Sequence, residues 1–127
     1  MLSSFPIKSF IPTSSLSKAK FFYGDTLGLK LLHEDNFAVE FESGGRTIRI
    51  TLVKKLKAQS FTILGWDVAA IKDITVSMMK KGIKFERYRI LEQDELGIWT
   101  SPNGTKVAWF KDPDGNLLSI SESPKAE

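Results

Sequence analysis

The sequence predicts an α+β fold in which two βαβββ modules of one chain form a curved mixed-sheet cup with the helices outside. Three observations support this prediction. The strand that closes each half of the chain repeats, because residues 45–51 match residues 115–121. A helical pattern stands early in each half. Turn sequences rich in Gly, Pro and Asn separate the remaining strands.

The two closing strands alternate between apolar and polar residues. Ile48 and Ile50 in the first half correspond to Leu118 and Ile120 in the second. Alternation with period two is typical of a strand with one buried face. We expect the apolar residues to pack against a helix and the polar residues, Arg49 among them, to line the cup.

The first helix is predicted to begin near Leu16. Ser14 and Ser15 precede it and are good N-cap residues. Leu16, Ala19 and Tyr23 follow at helical spacing and are expected to form its buried stripe.

The second helix is predicted to begin near Ala69 or Ala70. No Ser or Asn stands directly before it, so its start is less sharply defined. Gly82 is the expected stop. The buried stripe of this helix is expected to contain Ile71, Ile74, Thr75 and Met78.

Each helix is followed by a predicted strand that opens with glycine, at 28–32 and at 82–85. Hairpin turns are expected at 43–45, 101–104 and 112–115. We therefore predict a single domain over 1–127, with module one at about 5–53 and module two at about 61–122. A polar linker at about 54–60 would join the modules, and 123–127 would be a solvated tail.

Composition narrows the functional classes. The chain has 127 residues, 42% of them hydrophobic, a net charge of +3 and no cysteine. Disulfides, thiolate metal sites and a cysteine nucleophile are therefore excluded. The lysines are scattered, so we expect no nucleic-acid partner. No apolar run approaches the roughly 18 residues of a membrane span, and we expect a cytoplasmic protein without a membrane partner.

Two motifs carry a resemblance to a known family. They are residues 16–23 with Leu27-Gly28-Leu29, and residues 110–118 with the Asp-Pro-Asp-Gly-Asn turn at 112–116. Together with the repeat they resemble the vicinal oxygen chelate superfamily over about residues 5–122. That superfamily includes glyoxalase I, extradiol dioxygenases, fosfomycin resistance enzymes and bleomycin resistance proteins. The resemblance implies the cup and a homodimer.

The resemblance also implies where a metal would bind. The ligand positions of metal-dependent members correspond here to Lys8, Arg49, Ile63 and Ser119. Two of these are cations, one is an alkyl group and serine alone is a poor ligand. The only histidine, His33, falls on the next strand and is expected at the surface. We therefore expect no metal and no cofactor.

Alternation along the strands nominates the residues that line the cup, while Trp66 is expected on the helix side. Arg49 would either hold a carboxylate or phosphate of a ligand or be neutralised by Asp67. The two lining tryptophans would either stack on a ligand, fill the interior or contact a second copy. The predicted ligand-binding residues are Phe10, Arg49, Thr51, Asp67, Trp99, Val107, Trp109 and Ser119.

Residues 88–97 are polar and are predicted to form a loop over the mouth of the cup, with Gly97 as a hinge. Weak candidates for acid–base chemistry are Asp67, Asp94 and Lys8, and Glu92 lies in the same loop. No Ser–His–Asp arrangement and no phosphate-binding loop is present.

The leading hypothesis is a metal-free protein of the glyoxalase/bleomycin-resistance type that binds a small aromatic or amphiphilic molecule for sequestration or sensing. One alternative is a small-molecule enzyme, a lyase or isomerase of the glyoxalase/dioxygenase type, with a non-standard or absent metal site. Another is a non-catalytic interaction module.

Overall fold

The computed structural model describes residues 1–124, and the end of the predicted tail, 125–127, lies outside the described residues. The chain divides into two compact units, the first Met1–Lys57 and the second starting at Ala58. Residues 54–60, the predicted linker, contain no helix or strand. Within the described residues, no helix is both long enough and apolar enough to cross a membrane.

The first unit is a four-stranded sheet with one helical segment. After a short 3-10 turn at Leu2–Ser4 come β1 (Lys8–Thr13), α1 (Leu16–Lys20), a π-helical continuation (Phe21–Thr26), β2 (Lys30–Glu34), β3 (Ala38–Ser43) and β4 (Arg46–Leu52). The strand order is β1-β4-β3-β2. β1 is parallel to β4, and the other pairs are antiparallel.

The second unit repeats this connectivity. Its elements are β5 (Leu64–Asp67), α2 (Ile71–Lys80), β6 (Trp99–Thr100), β7 (Lys106–Lys111) and β8 (Leu117–Glu122). The strand order is β5-β8-β7-β6, again with one parallel pair, β5 with β8. The predicted α+β class and its two βαβββ modules are confirmed.

The apolar sides of the closing strands face the helices, as the alternation predicts. Ile48 and Ile50 on β4 and Leu118 and Ile120 on β8 are buried. Each fully buried side chain of this size stabilises the fold by roughly 1.5–3 kcal/mol. In the second unit Trp66 stacks on Phe110 with ring centroids 6.2 Å apart, which confirms its predicted place on the helix side.

The first helix begins as predicted but continues in an unexpected form. Ser15 is the N-cap, and its hydroxyl accepts a hydrogen bond from the Lys18 N–H at 3.3 Å. From Phe21 onward the helix widens into π geometry, which carries Phe22 and Tyr23 into the core. Their rings meet edge to face with centroids 5.2 Å apart. Sequence periodicity alone did not predict the wider turn.

The second helix takes its N-terminal cap from a distant strand. Ala70 adopts the left-handed conformation, with φ of 53°, and offers no side-chain hydrogen bond. The carboxylate of Glu122, at the end of β8, instead accepts from the Ile71 N–H at 2.7 Å. This bond satisfies one free donor of the first helical turn and places a negative charge at the positive end of the helix. The predicted start near Ala70 is therefore accurate.

The strand predicted at 82–85 is wrong. Only a single bridge forms there, between Phe85 and Phe110 on β7. The Glu86 N–H donates to the Trp109 carbonyl at 2.8 Å, so this segment touches β7 at one end only. The short strand β6 pairs with the other end, opposite Lys106 and Val107. The outer edge of β7 is thus shared by two short segments, and neither forms a long ladder.

The predicted turns are confirmed. Gly44 and Gly45, between β3 and β4, have φ of 56° and 78°, a left-handed pair that matches the twist of a hairpin. Between β7 and β8 the buried carboxylate of Asp112 accepts from the backbone N–H groups of Asp114 and Asn116, both at 2.9 Å. Asp112 therefore builds a turn.

Candidate functional site

On the first sheet, the face opposite the helix carries a row of one aromatic and two charged side chains. Phe10 on β1 lies opposite Arg49 on β4, and Arg49 lies opposite Glu40 on β3. The predicted residue Thr51 is half-buried one row further along β4. Alternation of side chains along each strand places all of them on one face.

Glu40 is the centre of a small charged cluster. One carboxylate oxygen, Oε2, accepts from Arg49 Nη1 at 2.7 Å and lies 3.3 Å from Lys8 Nζ. The Glu40 side chain is 17% exposed, and both cations lie within ion-pair distance of it. The Arg49 hydrogen bond is the largest cause that holds the pKa of Glu40 below its ordinary value of 4.5, and Lys8 adds to it. The cluster of two cations and one anion keeps a net positive charge.

Arg49 has an ion-pair partner within its own unit, Glu40 on the adjacent strand, which the sequence analysis did not consider. Neutralisation of Arg49 by Asp67 stays a prediction. Asp67 ends β5 in the second unit with an exposed side chain. It remains a candidate for binding or acid–base chemistry.

On the second sheet, the face opposite its helix gathers the predicted residues in two neighbouring rows. One row runs Gly65, Ser119, Trp109 across β5, β8 and β7. The next row contains the remaining predicted residues of this unit together with Ser121, in the order Asp67, Ser121, Val107 and Trp99. The register therefore confirms that these residues share one face.

Three aromatic side chains form a cluster on this face. The indoles of Trp99 and Trp109 have centroids 6.0 Å apart and are tilted by 34°. The ring of Tyr88 meets Trp109 edge to face at 5.5 Å. Burial, with a smaller effect of the Glu86 charge, raises the pKa of Tyr88 above its ordinary value, so its hydroxyl stays protonated at neutral pH. We call Tyr88, Trp99 and Trp109 the aromatic cluster.

In the middle of the same face, Gly65 leaves space that a larger residue would fill. A Cβ atom built on Gly65 would lie 2.8 Å from the Ser119 hydroxyl oxygen, closer than real Cβ atoms approach. Gly65 therefore allows Ser119 to lie directly on β5. The sheet surface beside Trp109 is therefore formed by two small residues, Gly65 and the half-buried Ser119.

Residues 86–98 form a loop with many internal hydrogen bonds. The Gln93 side chain bonds to the Glu86 and Gly97 carbonyls and to the Tyr88 N–H, at 2.9, 2.7 and 2.7 Å. The Asp94 carboxylate accepts from two backbone N–H groups, those of Leu96 and Ile98, both at 2.9 Å.

The loop contacts give two predicted residues structural roles. Asp94 shapes the turn, and a catalytic role for it stays a prediction. Gly97 has φ of 90°, and a Cβ there would lie 3.2 Å from the Phe85 Cβ. This position therefore needs glycine whether or not it also acts as a hinge.

The residues at the positions that the resemblance assigns to metal ligands do not fit a metal ion. Lys8 and Arg49 are cations held by Glu40. Ile63 offers only its backbone, whose N–H donates to the Leu117 carbonyl at 3.0 Å. Across residues 1–124, no three His, Cys, Asp or Glu side chains come together in a way that could hold a metal. The predicted surface position of His33 is confirmed, and its ring lies 3.3 Å from Asp35.

Sequence reasoning missed two residues of these faces, Glu40 and Tyr88. Glu40 had a detectable signal, since it is the one acidic residue flanked by the buried Val39 and Phe41 in an alternating strand. Tyr88 had none, because it lies in an irregular loop whose path the sequence pattern does not specify.

Comparison with known proteins agrees with this fold. Residues 7–120 match the model of the Glyoxalase/Bleomycin resistance protein/Dioxygenase superfamily. The chain therefore belongs to that superfamily. Comparison with curated protein sequences gave no match.

Solved structures of similar fold are distant in sequence. A glyoxalase family protein from Enterococcus faecalis is 23% identical with a TM-score of 0.74, over 96% of this chain and 100% of that one. A superfamily member from Sphaerobacter thermophilus is 19% identical with a TM-score of 0.74, over 97% and 100%. A lactoylglutathione lyase from Agrobacterium tumefaciens is 17% identical with a TM-score of 0.73, over 94% and 93%. At these identities the likeness establishes the fold alone.

Proposed function

We propose that this protein binds a small aromatic or amphiphilic molecule without using a metal ion, and that it sequesters or senses that molecule. The observation that carries the proposal is the aromatic cluster. Two indoles and a phenol pack together on a sheet face whose neighbouring residues, Gly65 and Ser119, are small. Aromatic walls with a few polar groups are the usual composition of a small-molecule site.

The cluster is suited to stacking. Trp109 is fixed from two sides, by Trp99 at 6.0 Å and by Tyr88 at 5.5 Å. A ring that its neighbours already hold loses little conformational entropy when a planar ligand stacks on it. Ser119 lies opposite Trp109 in the register and offers a hydroxyl to a polar edge of the ligand.

The charged cluster of the first unit favours binding over metal catalysis. The family resemblance assigns Lys8 and Arg49 to ligand positions of metal-dependent members, and both cations are held by Glu40. A net positive charge repels a metal cation and attracts a carboxylate, sulfonate or phosphate. The exposed ring of Phe10 lies in the same row as Arg49, so this face can hold an amphiphilic anion.

The test uses 8-anilinonaphthalene-1-sulfonate as the probe, because it joins a planar aromatic body to an anionic group. Its dissociation constant is measured by calorimetry for the wild type, Trp109→Ala and Phe61→Ala. Phe61 is an exposed aromatic of the same unit outside the cluster, so it is the matched control. We expect Trp109→Ala to weaken binding at least about tenfold, or ~1.4 kcal/mol, with Phe61→Ala unchanged.

Equal affinity of the Trp109→Ala protein and the wild type, with the fold intact by circular dichroism, would refute the stacking role. The probe recovered after denaturation should also have its starting mass. A chemically altered probe would favour the enzyme alternative instead.

A further inference from the structure

The first unit contains an open cavity on the helix side of its sheet. Its volume is about 380 Å³, which is within the usual range for a small-molecule site. Phe41 lines the cavity, and it follows Glu40 on β3, so the two side chains point to opposite faces of the sheet. The cavity therefore lies on the face away from the charged cluster of Lys8, Arg49 and Glu40.

One wall of the cavity is a single face of the helical segment. Ser17, Phe21 and Asp25 line it at intervals of four residues, and Lys20 and Gly24 lie beside them. Residues three and four positions apart are neighbours on a helix surface. This wall is therefore mixed, with one ring, one glycine, one hydroxyl and two charged groups.

The sheet supplies an apolar wall. Leu31 on β2 lies opposite Phe41 on β3, and both line the cavity. Gly24 lets the helical segment come close, since a Cβ atom built there would lie 3.2 Å from Phe41 Cε1. Phe21 and Leu31 are 63% and 40% exposed, so the cavity offers apolar surface that a ligand can cover.

The helical wall has an unusual backbone. The Leu27 N–H donates to the Phe22 carbonyl at 2.9 Å, five residues back, which is the hydrogen bond of a π-helix. Such wider turns are rare and are found frequently at functional sites. Gly24 and Asp25, which line the cavity, both lie within the π-helical segment.

The two charges at the cavity differ in their partners. The Lys20 ammonium is neutralised by Glu34, whose carboxylate oxygens lie 2.9 and 3.1 Å from Lys20 Nζ. Within residues 1–124, no cation forms an ion pair with Asp25. Asp25 also stands in the last turn of the helical segment, where the helix dipole disfavours a negative charge. Local conflicts of this kind are expected at functional or strained sites.

We propose that this cavity binds a small organic amine in its protonated form, with the ammonium group at Asp25 and the apolar body against Phe21, Leu31 and Phe41. An ammonium supplies the cation that Asp25 lacks and offsets its unfavourable place at the helix end. A neutral ligand would gain only the apolar contact, and an anion would be repelled. Asp25 is exposed, so the ammonium lies at the mouth of the cavity.

The test compares three probes that share a phenylethyl body and differ in charge: phenethylamine, phenethyl alcohol and phenylpropionate. Titrations followed by proton–nitrogen correlation NMR give the dissociation constant of each probe and locate its site. We expect amide shifts at residues 17–31. The amine should bind about fivefold more tightly than the alcohol, as suits an exposed ion pair, and the carboxylate should bind most weakly.

Asp25→Asn isolates the charge. It should reduce the affinity for phenethylamine to that for phenethyl alcohol and leave the affinity for the alcohol unchanged, which completes a double-mutant cycle between protein and ligand. Asp73→Asn, at an exposed aspartate of α2, is the matched control and should change neither affinity.

Ser17→Phe and Lys18→Phe give a test that does not depend on Asp25. Both residues are exposed on α1, but only Ser17 lines the cavity. Ser17→Phe should fill the cavity and remove the shifts at residues 17–31. Lys18→Phe should leave them unchanged.

Three outcomes would overturn the proposal. The first is the absence of shifts at residues 17–31. The second is equal affinity of the wild type for the amine and the alcohol, which needs no variant. The third is a set of shifts confined to the indole N–H groups of Trp99 and Trp109. That last result would remove the amine site but would support ligand binding at the aromatic cluster, so the two proposals can fail separately.

Discussion

The backbone of Gly65 lies so close to Ser119 that a side chain at position 65 would collide with it. The calculated Cβ position on Gly65 lies 2.8 Å from Ser119 Oγ and 3.4 Å from the Ser119 carbonyl oxygen. The lack of space explains why β5 carries glycine at a position where β-branched residues are otherwise favoured. Gly65 is needed here for space, and its φ is ordinary for a strand.

Gly65→Ala should therefore lower the free energy of unfolding by about 1–3 kcal/mol, because the added methyl group overpacks the sheet. Adding Ser119→Ala to Gly65→Ala should recover part of that loss by removing the hydroxyl. Urea denaturation of both variants and of Ser119→Ala alone completes a double-mutant cycle. Purely additive effects would show that the contact carries no energy.

Glu40 gives the first unit an acid-sensitive ion pair. Its pKa in the folded protein lies below the ordinary value of 4.5, because Arg49 and Lys8 favour the carboxylate. A lowered carboxyl pKa contributes stability that is fully present above the unfolded value and is lost as pH falls through the folded value. The interaction of Glu40 with Arg49 and Lys8 should therefore stabilise the protein at neutral pH, and this stabilisation should be lost in acid.

Glu40→Gln should lower the free energy of unfolding at pH 7 by about 1–2 kcal/mol, since Arg49 loses a charged hydrogen-bond partner. The difference between variant and wild type should shrink as pH falls below 4.5. Thermal unfolding measured between neutral pH and strong acid tests this, with Glu42→Gln, an exposed residue of the same face, as the control. A difference that is constant over the whole range would exclude the linkage.

At the scale of elements, the two helices begin in different ways. α1 is capped locally by Ser15, three residues before the N–H it accepts from. α2 is capped by Glu122, 51 residues away along the chain. The cap on α2 joins the start of that helix to the end of β8, so that α2 and β8 stabilise each other.

Glu122→Ala should lower the free energy of unfolding by about 1–2 kcal/mol, the upper range for loss of a cap, because it also removes the charge at the helix N-terminus. Glu122→Gln keeps an acceptor oxygen and should cost less. Ser15→Ala is the matched variant at the other helix, and ~1 kcal/mol is expected there. Chemical denaturation ranks the three, and equal stability of Glu122→Ala and the wild type would mean that water replaces the cap.

At the scale of the whole molecule, one module plan supports two different chemistries. The polar face of the first sheet is ionic, with Lys8, Arg49 and Glu40, and that of the second is aromatic. Both use the same strand order and the same alternation. The repeat therefore specifies the scaffold, and the residues on its polar faces specify the chemistry.

Protein purified without chelator should hold substoichiometric zinc, iron, manganese and nickel by elemental analysis. The reason is the chemistry of the ligand positions, where Lys8 and Arg49 are cations and Ile63 has no donor atom in its side chain. Glu40→His, which removes the anion and adds a donor, should still give no tight site because three ligands are needed. A stoichiometric metal in the wild type would favour the enzyme alternative.

Much of the fold was predictable because its signals are local. Alternation around Ile48 and Leu118, the N-cap Ser15 and the turn residues at 44–45 and 112–116 act within a few residues of the chain. The failed strand at 82–85 shows the limit, since its apolar alternation pairs with β7 only at Phe85. Pairing needs a free partner edge, and β6 occupies the rest of it.

The sequence by itself determined the two-module α+β plan, the faces to which strand residues point, and the absence of metal donors at Lys8, Arg49 and Ile63. Only the tertiary structure decided which side chains contact each other. Glu40 was paired with Arg49, Glu122 with the Ile71 N–H and Tyr88 with Trp109. The physical reason is that periodicity depends on neighbours in the chain, while each partnership depends on strand register and on the path of loops between distant segments.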